Sequence, residues 1–384
     1  MVKNIVVTMA FFVTGLLARE WVETGTPRPS EPVWVVNSIS ENELEISFDL
    51  GGYFVEDLAN GKNKITFPGG VPNLEEGTPD LPKMAQSIII PDLAHMELSI
   101  IESEFVEIFM ENLISSKGNL TRNIDPASVP YTFGEAYETD EFYPQDIVFM
   151  RNPYIVRTVR GQAIVFQPIQ YNPIQRTLRV YTHIKVNIQQ NGMSQINPLT
   201  RRPAKGGSRE FENIYAEHFL NYSTNNRYEL LGEQGPMLVV CYGEFMQAMQ
   251  PFVEWKNYKG IPTEMVDVAD IGGSDEIEAF VETKYYDDGI AFVLLVGDIA
   301  QIPSPRYSDG AGSNSPADPS YGFVAGSDYY PEIIIGRFSA ENTSHVETMI
   351  NRTIEYEMDP DPTADWYKKG SGFASDEGPG DDGE

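Results

Sequence analysis

Ala291-Phe-Val-Leu-Leu-Val296 is six consecutive apolar residues, followed at once by Gly297-Asp298. It reads as a strand buried on both faces of a sheet. Working outward, Met237-Leu-Val-Val-Cys241 and Ile333-Ile-Ile335 are two more short apolar runs. Helical spacing fills the gaps between them. Phe245, Met249, Phe252 and Val253 recur on one helix face, with Pro251 marking a kink or restart. Ile277, Phe280 and Val281 mark a second helix. Val346, Met349, Ile350, Thr353 and Ile354 mark a third, with Ser344 as its N-cap and Glu347 three residues on. Gly372 to Ser375 begins a further strand. Apolar strands alternating with amphipathic helices imply a largely parallel sheet covered on both faces.

Residues 33–190 have a different texture. Val180, Ile184, Val186 and Ile188 share one face of an alternating run. Turn signals are dense, as at Pro68-Gly69-Gly70, Gly77-Thr78-Pro79-Asp80 and Asn172-Pro173. Strands cut by such turns predict a β-sandwich. Residues 191–236 are richer in polar, Pro and Gly positions and read as an exposed connector.

The 384 residues carry 27 Lys plus Arg against 57 Asp plus Glu, a formal net charge of −30. Such a surface repels nucleic-acid phosphates and anionic headgroups, and it suits divalent cations. Cys241 is the only cysteine, so the chain makes no internal disulfide and no Cys-based zinc site. His95, His183, His218 and His345 are scattered, without the paired spacing of a metal site. Lys3 followed by an apolar run from Ile5 to Ala18 has the order of an export signal, and no other stretch has the length to cross a membrane.

Several blocks then carry a family likeness. Phe252-Val-Glu-Trp-Lys-Asn-Tyr-Lys-Gly-Ile-Pro-Thr-Glu264, Val293-Leu-Leu-Val-Gly-Asp298 with Ile302-Pro303, Asp328-Tyr-Tyr-Pro-Glu332 with Ile335-Gly-Arg-Phe338, and Asn351-Arg-Thr-Ile-Glu-Tyr-Glu357 keep their order from Met237 to Glu377. They resemble the catalytic domain of the gingipain-type cysteine peptidases (peptidase family C25, clan CD). Upstream, Gly77-Thr-Pro-Asp-Leu-Pro82 with Ile88-Ile-Ile-Pro91, and Gln170-Tyr-Asn-Pro173 with Leu178-Arg-Val-Tyr181, resemble the propeptide of that family.

The resemblance implies three parts: a signal peptide over 1–18, a β-rich propeptide with its linker over 19–227, and the amino-terminal part of a caspase-like α/β catalytic domain over 228–384. It implies a secreted endopeptidase zymogen that cuts after Arg or Lys, acts on polypeptides and packs its propeptide on its own catalytic domain. The family's catalytic His and Cys have no counterpart here, because the chain has no Gly-His-Gly and Cys241 lies in the first α/β strand. They fall beyond Glu384 in the resemblance, so this chain is expected to be inactive. Glu377 matches the carboxylate that orients the catalytic His. The family's structural Ca²⁺ would take side-chain oxygens from Asp298, Asp328 and Glu332 and carbonyls from Ala325 and Tyr330. Glu384 matches a ligand of a second Ca²⁺. Maturation would cut between Arg227 and Tyr228, with Arg201-Arg202 as a second nick. A reading of another class stays open: a secreted, calcium-stabilised binding or inhibitor protein built on the sandwich.

Overall fold

The structure, a computed structural model, describes residues 19–370 apart from 41–42, 59–60, 121–123, 206, 223–232 and 308–313. The proposed signal peptide and the strand expected near Gly372 lie outside those residues.

In the amino-terminal part the alternating run becomes one long strand, Thr177–Met193. Ala94–Phe109 pairs along one edge of it, and Ile169–Asn172 and Glu43–Asp49 share the other, all antiparallel. A second antiparallel sheet is centred on Val159–Phe166, with Pro82–Ile90 and Tyr154–Val156 beside it. Inward side chains of both sheets make one core that includes Ile46, Phe48, Ile88, Ile164, Phe166 and Val186. Phe48 stacks on Phe166 at 4.9 Å, and Trp34 closes edge-on against both rings. This is the sandwich the turn-rich sequence predicts.

The carboxyl-terminal part is a four-stranded parallel sheet. Its spatial order is Thr263–Asp267, Met237–Cys241, Phe292–Val296, Ile334–Phe338. Helix α3 (Ser274–Asp288) covers one face through Ile277, Val281 and Tyr285. Helices α2 (Met246–Tyr258) and α4 (Thr343–Met358) cover the other through Met249, Phe252, Val346 and Ile350. The two central strands, Met237–Cys241 and Phe292–Val296, are dry on both faces, which is why they are uninterrupted apolar runs.

Two expectations need correction, and one strand had no reading in the sequence. Helix α4 starts two residues earlier than the Ser344 cap implied. Asn342 is the N-cap, and its side chain accepts from the His345 amide at 3.1 Å. The edge strand Thr263–Asp267 has no apolar run, because its residues are half-exposed rather than buried on both sides. The connector over 191–236 is not simply exposed. Helix α1 (Arg209–His218) forms within it and buries Phe211 and Tyr215, one turn apart on the same face.

Helices α2 and α4 are clamped by charge as well as by packing. Glu357 on α4 accepts from Lys256 Nζ at 2.5 Å, Lys259 Nζ at 2.9 Å and Trp255 Nε1 at 2.9 Å. Burial alone would raise its pKa, but the bonds from Lys256, Lys259 and Trp255 override that and hold it near 2, below the ordinary 4.5. A carboxylate held low stabilises the fold above its unfolded pKa and loses that contribution as pH falls through its folded pKa. Glu357→Gln also leaves the buried Lys256 ammonium without its counter-charge, at a cost of about 3 kcal/mol. Thermal melts should therefore separate wild type and Glu357→Gln fully at pH 6, with the gap closing between pH 4.5 and 2. A gap independent of pH over that range would contradict the clamp.

Candidate functional site

The parallel sheet has two chemically distinct ends. At its carboxyl end, Gly297 follows the Phe292–Val296 strand with φ +141°, and the backbone turns so that the Asp298 amide donates to Ala340 O at 3.0 Å. Asp298 Oδ1 accepts from Ser339 Oγ at 2.8 Å. That bond, with the Ile299 amide, holds the exposed carboxyl below its ordinary pKa. Beside it, Arg337 forks onto Asp318 with two bonds of 2.7 Å, and its Nη1 donates to Gly297 O and Ile302 O. This crest is where open α/β sheets place their sites.

The loop leading into the Ile334–Phe338 strand lies at the opposite end. Glu332 is fully buried there. Its Oε2 accepts from the Val324 and Ala325 amides at 2.8 and 2.9 Å, while Oε1 is buried without a hydrogen-bond partner. Burial raises its pKa to about 8 against those two amide bonds, and neighbouring Asp328 pushes the same way. Burial also raises the pKa of Asp328, opposed by the amides of Tyr330 and Ile155.

The structure thus gathers Ala325, Asp328, Tyr330 and Glu332 in one loop and leaves Asp298 out. The parallel register explains the correction. Phe292 pairs with Ile334, so Glu332 stands level with Ile290, whereas Asp298 stands level with Ala340. About eight strand rises separate the two acids, roughly 26 Å. Among the described residues no three His, Cys, Asp or Glu side chains form a metal-holding group. Glu377, Glu384, Arg227 and Tyr228 lie outside the described residues.

The sandwich reaches this loop through the hairpin of Tyr154–Val156 and Val159–Phe166. Ile155 N donates to Asp328 Oδ2 at 2.9 Å. The Tyr154 ring stacks on Tyr330 at 4.0 Å. Asn197, buried in the stretch expected to be exposed, donates to Pro153 O and accepts from Ser327 N and Oγ. None of these contacts was legible beforehand. All but the Asn197–Pro153 bond, which spans 44 positions, join residues 130 or more positions apart, and most end on backbone atoms.

Set against known proteins, residues 33–227 match the family model Propeptide_C25, and residues 231–384 match the model of Peptidase family C25. The chain belongs to peptidase family C25. Gingipain R1 of Porphyromonas gingivalis is 36% identical over 356 residues, covering 90% of this chain and 35% of that protein. Lys-gingipain of the same organism is 26% identical over 349 residues, covering 86% of this chain and 19% of that protein. The chain therefore spans about a third of the one and a fifth of the other. Among solved structures, the complex of Porphyromonas gingivalis RgpB pro- and mature domains is 31% identical, with a TM-score of 0.45, covering 50% of this chain and 98% of that one.

The chain's one cysteine, Cys241, is not an exposed thiol. It is fully buried in the first parallel strand, and burial together with Asp267 pushes its thiol up to about 12. Its Sγ makes a 3.4 Å contact to Tyr242 O. A thiol-reactive disulfide reagent at pH 8 should leave the folded chain unlabelled and label it once after denaturation. Rapid labelling of the native protein would overturn this assignment.

Proposed function

We propose that this chain is the propeptide and the amino-terminal part of the catalytic domain of a secreted gingipain-type cysteine endopeptidase zymogen, one that hydrolyses polypeptides after Arg or Lys. The observation that carries the reading is the ordered pair of family matches, propeptide then peptidase, over residues 33–384. The dry parallel sheet and the buried Cys241 support it, since together they assign this part of the domain to scaffold. Glu377 is the residue proposed to orient the catalytic His. Arg227-Tyr228 is the proposed maturation bond. The apolar run over 5–18 is proposed as the export signal, and the protein as extracellular or cell-surface.

A structural Ca²⁺ is proposed at the Ala325–Glu332 loop. The fully buried, unpartnered Oε1 of Glu332 beside Asp328 fits a hard cation, which takes carboxylate and carbonyl oxygens. Asp328 and Glu332 would supply carboxylates, and Ala325 and Tyr330 carbonyls. The ion would supply charge neutralisation for two crowded acids and no chemical step. Glu384 is proposed for a second ion.

The reading has a direct assay. The purified chain, given Arg- and Lys-reporter amides with a reducing agent, should show no thiol-dependent hydrolysis. Hydrolysis that Cys241→Ala abolished would refute it. An Arg-specific peptidase should release a fragment beginning at Tyr228, and Arg227→Ala should prevent that. For the cation, Ca²⁺ at 100-fold over its Kd stabilises the fold by about 2.7 kcal/mol. A chelator should lower the melting temperature of wild type, and Glu332→Gln should be insensitive to it. An unchanged wild-type melt would remove the ion from this loop.

A further inference from the structure

Arg157 shares with Arg160 the place of largest fully buried side chain among the described residues, with 0% exposure. It belongs to the sandwich but lies inside the other half. Its Nη2 donates to Gly289 O at 2.8 Å, and its Nη1 to Ile290 O at 2.9 Å and Glu332 O at 3.0 Å. Its own carbonyl accepts from Tyr285 Oη at 2.9 Å. The guanidinium lies 4.8 Å from the centre of the Phe211 ring and 5.5 Å from that of Tyr285.

Two features show that this position is built around an arginine. The first is the turn. Arg157 occupies a two-residue hairpin loop at φ +50°, a place that glycine or asparagine ordinarily fills. An arginine there is strained and persists only where its surroundings hold it. The second is the receiving end. Gly289 is the left-handed cap that ends helix α3, so its carbonyl and that of Ile290 lie at the negative pole of the helix. The last turn of α3 has no basic residue of its own. Gly289 cannot be replaced freely, because a Cβ would fall 2.2 Å from Lys205 O. A planar fork of donors matches three convergent carbonyls, whereas an ammonium point charge would not.

We propose that the α3 C-terminal carbonyls with Glu332 O form a guanidinium receptor, and that Arg157 is its ligand, latching the propeptide to the catalytic part after the chain between them is cut. The latch rests on the contact between the two halves and not on the peptidase reading. It stands or falls whether or not the mature protein cleaves Arg or Lys bonds.

The full chain serves for the test, carrying a specific protease site placed within residues 223–232 and tethered through its amino terminus. After nicking, release of the carboxyl-terminal half gives a dissociation rate. Arg157→Gly relaxes the turn while emptying the receptor, so the sandwich should stay folded and release should accelerate at least ~30-fold. Arg157→Lys should accelerate it at least ~10-fold, since charge without the fork does not restore the latch. Hydrogen exchange across Thr177–Met193 should be unchanged in both variants, which separates a lost latch from a damaged sandwich. Arg160→Lys is the counter-control. Arg160 bonds only to carbonyls of the sandwich half among its recorded partners, Pro91, Ala94, Ile196 and Asn197, and should leave release within ~3-fold of wild type. Release of Arg157→Gly and Arg157→Lys within that same ~3-fold of wild type would overturn the proposal. Should Arg157→Gly fail to fold, Tyr285→Phe, which removes the bond to the Arg157 carbonyl from the opposite side, must still speed release for the proposal to survive.

Discussion

A charge taken out of water inside a protein is tolerated only where its whole solvation shell is rebuilt, and Arg157 meets that demand with the backbone of a different structural unit. The carbonyls that receive it come from the end of one helix and the approach to one strand. Their relative placement is fixed by the parallel register of Phe292 with Ile334. The sandwich and the α/β part are thereby set in one arrangement, because a guanidinium fork accepts little rotation. Tyr215 and Tyr285 reinforce it from helices α1 and α3, bonding to Val156 O and Arg157 O respectively. Helix α1, which the sequence disguised as a connector, exists largely to present Phe211 and Tyr215 to this junction.

The sheet's length then separates two kinds of chemistry. Asp298 and the Arg337–Asp318 fork crown the carboxyl end, solvated and charged. Glu332 and Asp328 lie near the amino end, where burial raises both carboxyls. The hairpin's contacts to Tyr285, Gly289, Ile290, Asp328, Tyr330 and Glu332 all belong to the second group. Catalytic groups of open α/β sheets are built at the first. Holding the propeptide in place and covering a reactive centre are thus distinct tasks for distinct surfaces, and the Arg157 hairpin performs the holding.

How far the sequence could be read follows the same division. Buried parallel strands announce themselves because both faces are dry, so Met237–Cys241 and Phe292–Val296 were plain. Thr263–Asp267 was not, since an edge strand is half-wet and its two apolar residues are flanked by polar ones. The family's blocks named Asp298, Asp328 and Glu332 as one set. The placement of Asp298 beside the others failed because linear order does not say which end of a parallel strand a loop occupies; that comes only from the register. Arg157 was invisible for a different reason. Its partners are main-chain oxygens, which have no identity in a sequence, and a single arginine between Val156 and Thr158 reads as an outward residue of a hairpin.

The loop from Ala325 to Glu332 is consequently supported from two sides of unequal strength. From its own half it has the two amides that bind Glu332 Oε2. From the sandwich it has the Ile155 amide on Asp328, the Tyr154 ring on Tyr330 and the Arg157 guanidinium on the carbonyl of Glu332 itself. Protonating Glu332 would relieve the charge but still leave a buried hydroxyl needing an acceptor, so neutralisation alone does not satisfy Oε1. A cation bonded to that oxygen would satisfy it and quiet the repulsion from Asp328 in one step. The hairpin's Arg157 amide also favours the Glu332 carboxylate, yet Oε1 stays without a partner. Anchoring by the hairpin and ligation by the proposed cation would thus meet at the same two residues, and without the hairpin the loop's order would fall to the cation.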